Sequence, residues 1–339
     1  MLHLPHELLS EIFSLAVPKS PCGDHALWLY RQYTLSFFSL VHSSWTRPAQ
    51  EVLHAEHFIS ALDKNLREKS LRGLAEVSGR AKTRWLTIEE EVDLALDLSG
   101  MELWKDVKHV VHAMRAGPPN SQKSYTNFSR LETLRLESGD LRIEEVDPPD
   151  CFPHLRRLVL DGTILRRGSV AAQQAFFSPS CMPRLYHLAL DAIFEDWRQI
   201  RNIFATLLPT VNTLAISGFP DSERDFEFFQ TLSTLPNLTH LSINSSSTEQ
   251  FFDCVTANGP TALRLDSLHL NAITLLDGAE VRGKLAMVLR GRKENNNIKR
   301  VVMYGSKEGF AKMTDLSDLD DYDLEWRADR LPFAEFDGR

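Results

Sequence analysis

Leu131-Glu132-Thr133-Leu134-Arg135-Leu136 places apolar side chains at the first, fourth and sixth positions of a six-residue run, and the same pattern returns along the chain with little else kept. It recurs as Leu155/Leu158/Leu160, Leu185/Leu188/Leu190, Val211/Leu214/Ile216, Leu238/Leu241/Ile243, Leu265/Leu268/Leu270 and Ile298/Val301/Met303. Between the middle positions the steps are 24, 30, 26, 27, 27 and 33 residues. Side chains of a strand alternate between two faces, so the fourth and sixth positions of each copy point the same way. A single unit cannot bury that face alone, whereas stacked units can. The expected fold is therefore α/β, a solenoid with a curved parallel sheet and helices on its convex side.

Working outward, an earlier copy stands at Trp85-Leu86-Thr87-Ile88, with Thr83 in the first apolar place, and reads as the first strand. The 48 residues from Leu86 to Leu134 then form one oversized repeat, in which Leu103, Val107, Val110, Val111 and Met114 have helical spacing. Comparable helical patterns follow the later strands at Trp197 to Leu207, Phe226 to Leu232, Phe251 to Val255 and Val281 to Leu289. Phe128, Phe152, Met182, Leu208 and Leu235 precede their strands at nearly one offset. Pro153, Pro183, Pro209 and Pro236 follow four of them, and each ends a helix and turns the chain into the next strand. The period and the apolar positions resemble the leucine-rich repeat. That repeat usually carries asparagine or cysteine three residues after the last leucine. Here Gly139, Thr163, Ile193, Phe219, Ser246 and Ile273 stand there, so the turns must be satisfied individually.

Ahead of the array, Leu4-Pro5-His6-Glu7-Leu8-Leu9-Ser10-Glu11-Ile12-Phe13 reads as a helix started by Pro5, with Leu8, Leu9, Ile12 and Phe13 on one face. A second helix is expected from Leu35 to Trp45, where Leu35, Phe38, Val41 and Trp45 are spaced by three and four, and Arg47-Pro48 ends or redirects it. The interval from Pro18 to Tyr33, with Pro18, Pro21 and Gly23, reads as an inserted loop. A plain helical hairpin would account for either segment alone. The two segments in this order, with Ser39-Leu40-Val41-His42-Ser43-Ser44-Trp45-Thr46-Arg47-Pro48-Ala49 as the second, resemble an F-box over about residues 2 to 59. His42 stands where that family often has cysteine, and the interval is longer than usual. F-boxes followed by irregular leucine-rich repeats are similar to proteins found in fungi.

The resemblance implies a small N-terminal all-α module of three helices that docks on the Skp adaptor and, through it, on a cullin-RING ubiquitin ligase. Leu4, Pro5, Leu8, Leu9, Ile12, Phe13, Leu40, Val41 and Trp45 would be buried partly in their own hairpin and partly against that adaptor. The repeats would then hold a protein target. On this reading residues 1–60 are the F-box-like module, 61–79 a helical linker, 80–312 the repeat solenoid and 313–339 an acidic cap or tail. The alternative is a leucine-rich-repeat scaffold whose N-terminal helices only cap the first repeat and recruit no ligase. The two readings differ in whether the helices keep spare apolar surface.

Target contact would come from the strand positions that alternate with the core leucines, on the concave face: Arg135, Glu137, Arg157, Asp161, His187, Asp191, His240, Asn244, His269, Asn271, Arg300 and Tyr304. That mixed surface suits a polar protein partner. In the tail, Asp315, Asp318, Asp320, Asp321, Asp323 and Glu325 precede Trp326. The accompanying Leu316, Leu319, Leu324, Leu331, Phe333 and Phe336 favour a packed cap over a disordered acidic strip.

An enzyme is the competing class. The chain has no Gly-rich nucleotide loop, no G-x-S-x-G and no H-E-x-x-H. His54/His57 and His109/His112 stand three apart and read as helix-face histidines, since a zinc site needs three or four converging donors. Glu89-Glu90-Glu91 and Glu144-Glu145 read as solvated charge. No cofactor is expected. With 339 residues, 43% of them hydrophobic and 25% charged, the chain has ordinary globular usage. Its net charge of −8 disfavours nucleic acid and anionic membranes as partners. No apolar run is long enough to span a bilayer, and the N-terminus lacks the form of a secretory signal. The scattered Cys22, Cys151, Cys181 and Cys254 suit a reducing compartment, so the expected location is the cytoplasm, the nucleus or both.

Overall fold

A computed structural model of the chain describes residues 4–17, 25–60, 83–89, 106–113, 120–121, 125–126, 128–143, 152–166, 170–194, 210–217, 232, 235, 237–244, 251–252, 265–271, 279–295, 298–308, 319 and 322–328. Two compact units divide it: Met1–Leu141 with Phe152–Leu155, and Arg142–Cys151 with Arg156–Arg339.

The first unit opens with three helices, α1 (His6–Ala16), α2 (His25–Val41) and α3 (Ser43–His54). Strands β1 (Glu56–Ser60), β2 (Trp85–Glu89), β3 (His109–Ala113) and β5 (Thr133–Arg142) then pair in chain order, all parallel, and the two-residue β4 (Asn120–Ser121) pairs β5 off this path. The register sets His57, Leu86, Val110 and Leu134 side by side.

Several expectations are corrected here. The segment read as a helix around Val110 is strand β3. Val107, Val110 and His112 fill the first, fourth and sixth places of the repeat, and the 48-residue repeat is two of 24. The sheet also begins a repeat earlier than Trp85, with β1, so the histidines at 54 and 57 do not share a helix face. His54 ends α3, and His57 takes the leucine place of the first copy. Helix α2 starts at His25, inside the interval read as a loop. It ends at Val41, with extended His42 between it and α3, so Trp45 belongs to the third helix. Pro48 does not end that helix: α3 runs six residues beyond it, with the loss of one ladder hydrogen bond.

In the second unit β6 (Arg157–Arg166), α4 (Val170–Phe176), β7 (His187–Phe194), β8 (Thr213–Ser217), β9 (His240–Asn244), β10 (Leu265–Asn271), α5 (Ala279–Asn295), β11 (Ile298–Tyr304) and β12 (Glu325–Arg327) follow one another. Its seven described strands form a parallel sheet in chain order. Neighbours in sequence are thus neighbours in space, as in a solenoid.

Seven of the strands start with the same contact. Ala55, Arg84, Lys108, Arg156, Tyr186, Asn212 and Thr239 each offer one carbonyl to two successive amides of the next copy, at 2.7–3.1 Å. The core beneath is the predicted one. Leu134, Leu136, Leu158, Leu160, Leu188, Leu190, Leu214, Ile216, Leu241, Ile243, Leu268, Leu270, Val301 and Met303 are all buried, with Phe128, Phe152 and Met182 at the strand entries. In β6 and β7 the strand runs through the place where an asparagine turn would sit. A bulge at Gly162, whose φ is 61°, absorbs the extra residue, and Thr163 is fully buried beyond it. Of the expected helices, α5 is present and buries Val281, Leu285, Val288 and Leu289; Phe251 and Phe252 are helical and buried. The helix expected at Trp197 to Leu207 lies outside the described residues. In the tail, β12 pairs β11 and Leu319 is buried.

Candidate functional site

Two stripes run along α1. Pro5 caps its start and accepts the Leu9 amide at 3.1 Å. Leu9 and Phe13, one turn apart, are 3% and 2% exposed and close a core with Val17, Leu35, Ala49 and Val52. Phe13 stacks on Phe38 at 5.1 Å and meets Trp45 edge-on at 5.3 Å, so Trp45 is spent inside the unit. The neighbouring stripe, Leu4, Leu8 and Ile12, is 46–48% exposed. Leu8 and Leu9 are adjacent in sequence and about 100° apart around the helix, so one faces in and the other out.

Helix α2 divides in the same way. Arg31 and Leu35 are buried, whereas Tyr30, Tyr33, Phe37 and Leu40, spaced three, four and three apart, are exposed, with Leu40 at 83%. Val41 is exposed too. Sequence reading named Leu40 and Val41 but missed the three aromatic residues; their helical spacing was the available signal. Of the nine residues expected at the adaptor, Leu4, Pro5, Leu8, Ile12, Leu40 and Val41 lie on the surface, and Leu9, Phe13 and Trp45 face the unit's own core.

Beside the core, His6 of α1 bonds Glu51 of α3 at 2.7 Å, and this contact, more than the flanking Arg47, holds the Glu51 carboxyl below its usual range. The helices join the sheet directly: only Ala55 separates α3 from β1. Arg31, almost fully buried, pairs with fully buried Glu56 at 3.2 Å and donates to the Val52 carbonyl at 3.3 Å. Thr83 donates to the His54 carbonyl.

The face opposite the leucines is less open than alternation suggests. Val159, Ala189 and Ala215, side by side in register, form a buried apolar column. Beside it His187 is 1% exposed; among the described residues neither ring nitrogen has a hydrogen-bond partner, and burial first, then the Arg157 charge, lowers its pKa to about 3. His269 and Tyr304 are buried as well, so as target-contact residues these three offer little surface. Arg135, Glu137, Asp161, Asp191, His240, Asn271 and Arg300 keep partial exposure, and Arg135 pairs with Glu137 at 2.6 Å. Burial, with Asp161 nearby, raises the Asp191 carboxyl. Arg157 lies on β6 beside His187; the Asn244 side chain lies outside the described ones.

The last four strands carry a continuous polar row. His240 Nδ1 lies 2.8 Å from the Ser267 hydroxyl, which lies 3.1 Å from His269 Nε2; His269 Nδ1 lies 3.0 Å from the Tyr304 hydroxyl. Arg327 reaches that hydroxyl at 3.5 Å, and Arg300 and Arg327 both hold Glu325. Ser267 is 2% exposed, so its hydroxyl serves as a bridge between strands. Among the described residues no three histidine, cysteine or acidic side chains converge as a metal site requires, and no described helix is long and apolar enough to cross a membrane.

Burial also lowers His57 and His269 to about 4. Imidazoles whose folded pKa lies below the unfolded value near 6.5 bind fewer protons folded than unfolded between those limits. Stability therefore falls as pH drops from about 6.5 toward 4. Each of His57, His187 and His269 should cost about 1–2 kcal/mol by pH 5. Thermal melts should show a midpoint several degrees lower at pH 5 than at pH 7.5, with a smaller gap for His187→Leu. Equal midpoints would mean the imidazoles are solvated.

No protein-family profile matches this chain, and no curated protein matches it in sequence.

Proposed function

We propose that the chain is a substrate-recognition subunit of an SCF-type ubiquitin ligase: an F-box on α1–α3 docks on the Skp adaptor, and a leucine-rich-repeat surface binds a protein target. The observation that carries this reading is the outer stripe. Leu4, Leu8 and Ile12 on α1, and Tyr30, Tyr33, Phe37 and Leu40 on α2, remain in solvent although Leu9, Phe13, Leu35 and Val52 already complete the helical core. Isolated surface leucines are ordinary, but aligned stripes on two helices of one small unit favour a partner. The chain would perform no chemistry of its own. It would act by proximity, in the cytoplasm or nucleus, and holding the target at a fixed place raises its effective concentration near the ligase only if the geometry can be met. The direct passage from α3 into β1, locked by Arg31 and Glu56, supports that rigidity for the first unit.

The same junction supports a second reading, a repeat scaffold whose helices cap the first strand. Co-expression with the Skp adaptor separates the two. The ligase reading expects a one-to-one complex on size-exclusion chromatography, whereas a well-folded chain that elutes alone leaves the capped scaffold.

A further inference from the structure

Both arginines at the end of the polar row bind Glu325. Arg300 Nε donates to one carboxylate oxygen at 2.6 Å and Arg327 Nε to the other at 2.8 Å, a two-sided grip of the kind guanidinium groups make on any carboxylate. Register explains the meeting. Arg300, Val302 and Tyr304 alternate onto one face of β11, and β12 sets Glu325 beside Val302 and Arg327 beside Tyr304. Beside Arg327 the Tyr304 hydroxyl is held by His269, which Ser267 holds in turn. Arg327 also lies over the Tyr304 ring, 5.9 Å from its centroid.

The grip is open to water: the side chains of Glu325, Arg300 and Arg327 are each between 33% and 39% exposed. Ion pairs at that exposure contribute about 0–1 kcal/mol. Three backbone register positions and the Gly305 amide, 2.7 Å from the Arg327 carbonyl, hold the strand in any case. Exchanging this carboxylate for another is therefore cheap, and the arginines and the tyrosine hydroxyl would stay where they are.

We infer that Arg300 and Arg327, with Tyr304 beside Arg327, form a binding site for an acidic side chain of a peptide segment, and that Glu325 occupies it as an internal stand-in. An incoming carboxylate turns Glu325 out into solvent and takes both guanidinium groups, while half-buried Asn271 on the neighbouring strand stands beside Tyr304 and half-buried His240, one strand farther, lies in the row of Arg300. The inference rests on the proposal that this face receives a protein target, and it names that target's chemistry: acidic, in a chain whose own charge is −8.

The test uses the full chain and a fluorescein-labelled hexaglutamate peptide, followed by fluorescence anisotropy at low salt, with hexaglutamine as the neutral probe. Glu325→Gln should bind hexaglutamate about threefold to tenfold more tightly than the unmodified chain, the range that releasing two pairs of that strength allows. Glu325→Gln with Arg300→Gln should lose that gain, and hexaglutamine should bind to none of them. Glu280→Gln removes the same charge from α5, where Glu280 is 75% exposed, and should give no gain. An unchanged affinity in Glu325→Gln, a gain that survives loss of Arg300, or an equal gain in Glu280→Gln would overturn the inference. Should Glu325→Gln lose its circular dichroism signal, Glu325→Asp, which withdraws the carboxylate by one methylene, is read in its place: a gain supports the stand-in, none overturns it. The Skp adaptor takes no part in this titration, so failure here leaves the docking proposal untouched, and failure of docking leaves this site standing.

Discussion

Replacing Arg31 by methionine is expected to destabilise the first unit by about 3–5 kcal/mol, because it strands the Glu56 carboxylate, fully buried, without its cation. Two charges taken from water offset each other only as a pair. The double substitution Arg31→Met, Glu56→Met should therefore recover most of the loss, even though it removes more polar contacts than the single change. Urea unfolding checks both. A single variant within about 1 kcal/mol of the parent, an effect typical of exposed pairs, would mean that Arg31 does not fasten α2 to the sheet.

The second large effect separates the inner from the outer stripe of α1. Phe13→Ala empties the place where Phe13 meets Phe38 and Trp45, and should cost about 3–5 kcal/mol. Leu8→Asp with Ile12→Asp, on the neighbouring stripe, should change stability by about 0.5 kcal/mol or less per site, since both side chains are already half in water. A double variant that melts as early as Phe13→Ala would show that the outer stripe is packed after all, and would remove the observation on which the proposed function rests.

How far the sequence revealed this depended on which residues fill the core places. From Leu131 to Met303 every copy puts aliphatic side chains there, and every strand was legible. β1 and β3 were hidden because imidazoles take leucine places: His57 in the first copy and His112 in the third. A pattern search that demands apolar residues passes over them, and what lets the fold bury His112 is invisible in sequence: the Tyr125 hydroxyl, 2.7 Å from its Nδ1. Without β3 the valines at 107, 110 and 111 matched a helix equally well, since short apolar runs fit either period. The first half of helix α2 was lost to Pro18, Pro21 and Gly23, which suggested a loop as far as Tyr33, although Tyr30, Tyr33, Phe37 and Leu40 carry a clear helical spacing.

The candidate surfaces were legible in kind more than in detail. Alternation correctly assigns which strand residues oppose the leucines, but it says nothing of what lies over them. Val159, Ala189 and Ala215 close the middle of that face, and His187, His269 and Tyr304 sink into it. The pairing of Arg300 and Arg327 on Glu325 depends on β12 returning to the sheet in register, which no local pattern encodes. On α1 the sequence grouped Leu8 with Leu9 and Ile12 with Phe13. Only the packed helices tell the inward member of each pair from the outward one.

That division decides the functional account, and adaptor binding by the outer-stripe variant reads it directly. The chain and Leu8→Asp, Ile12→Asp are each co-expressed with the Skp adaptor and run on size-exclusion chromatography, with circular dichroism melts in parallel. The account predicts a one-to-one complex for the unmodified chain and none for the variant, with melting temperatures within a few degrees of each other; a variant that still co-elutes with the adaptor would contradict it.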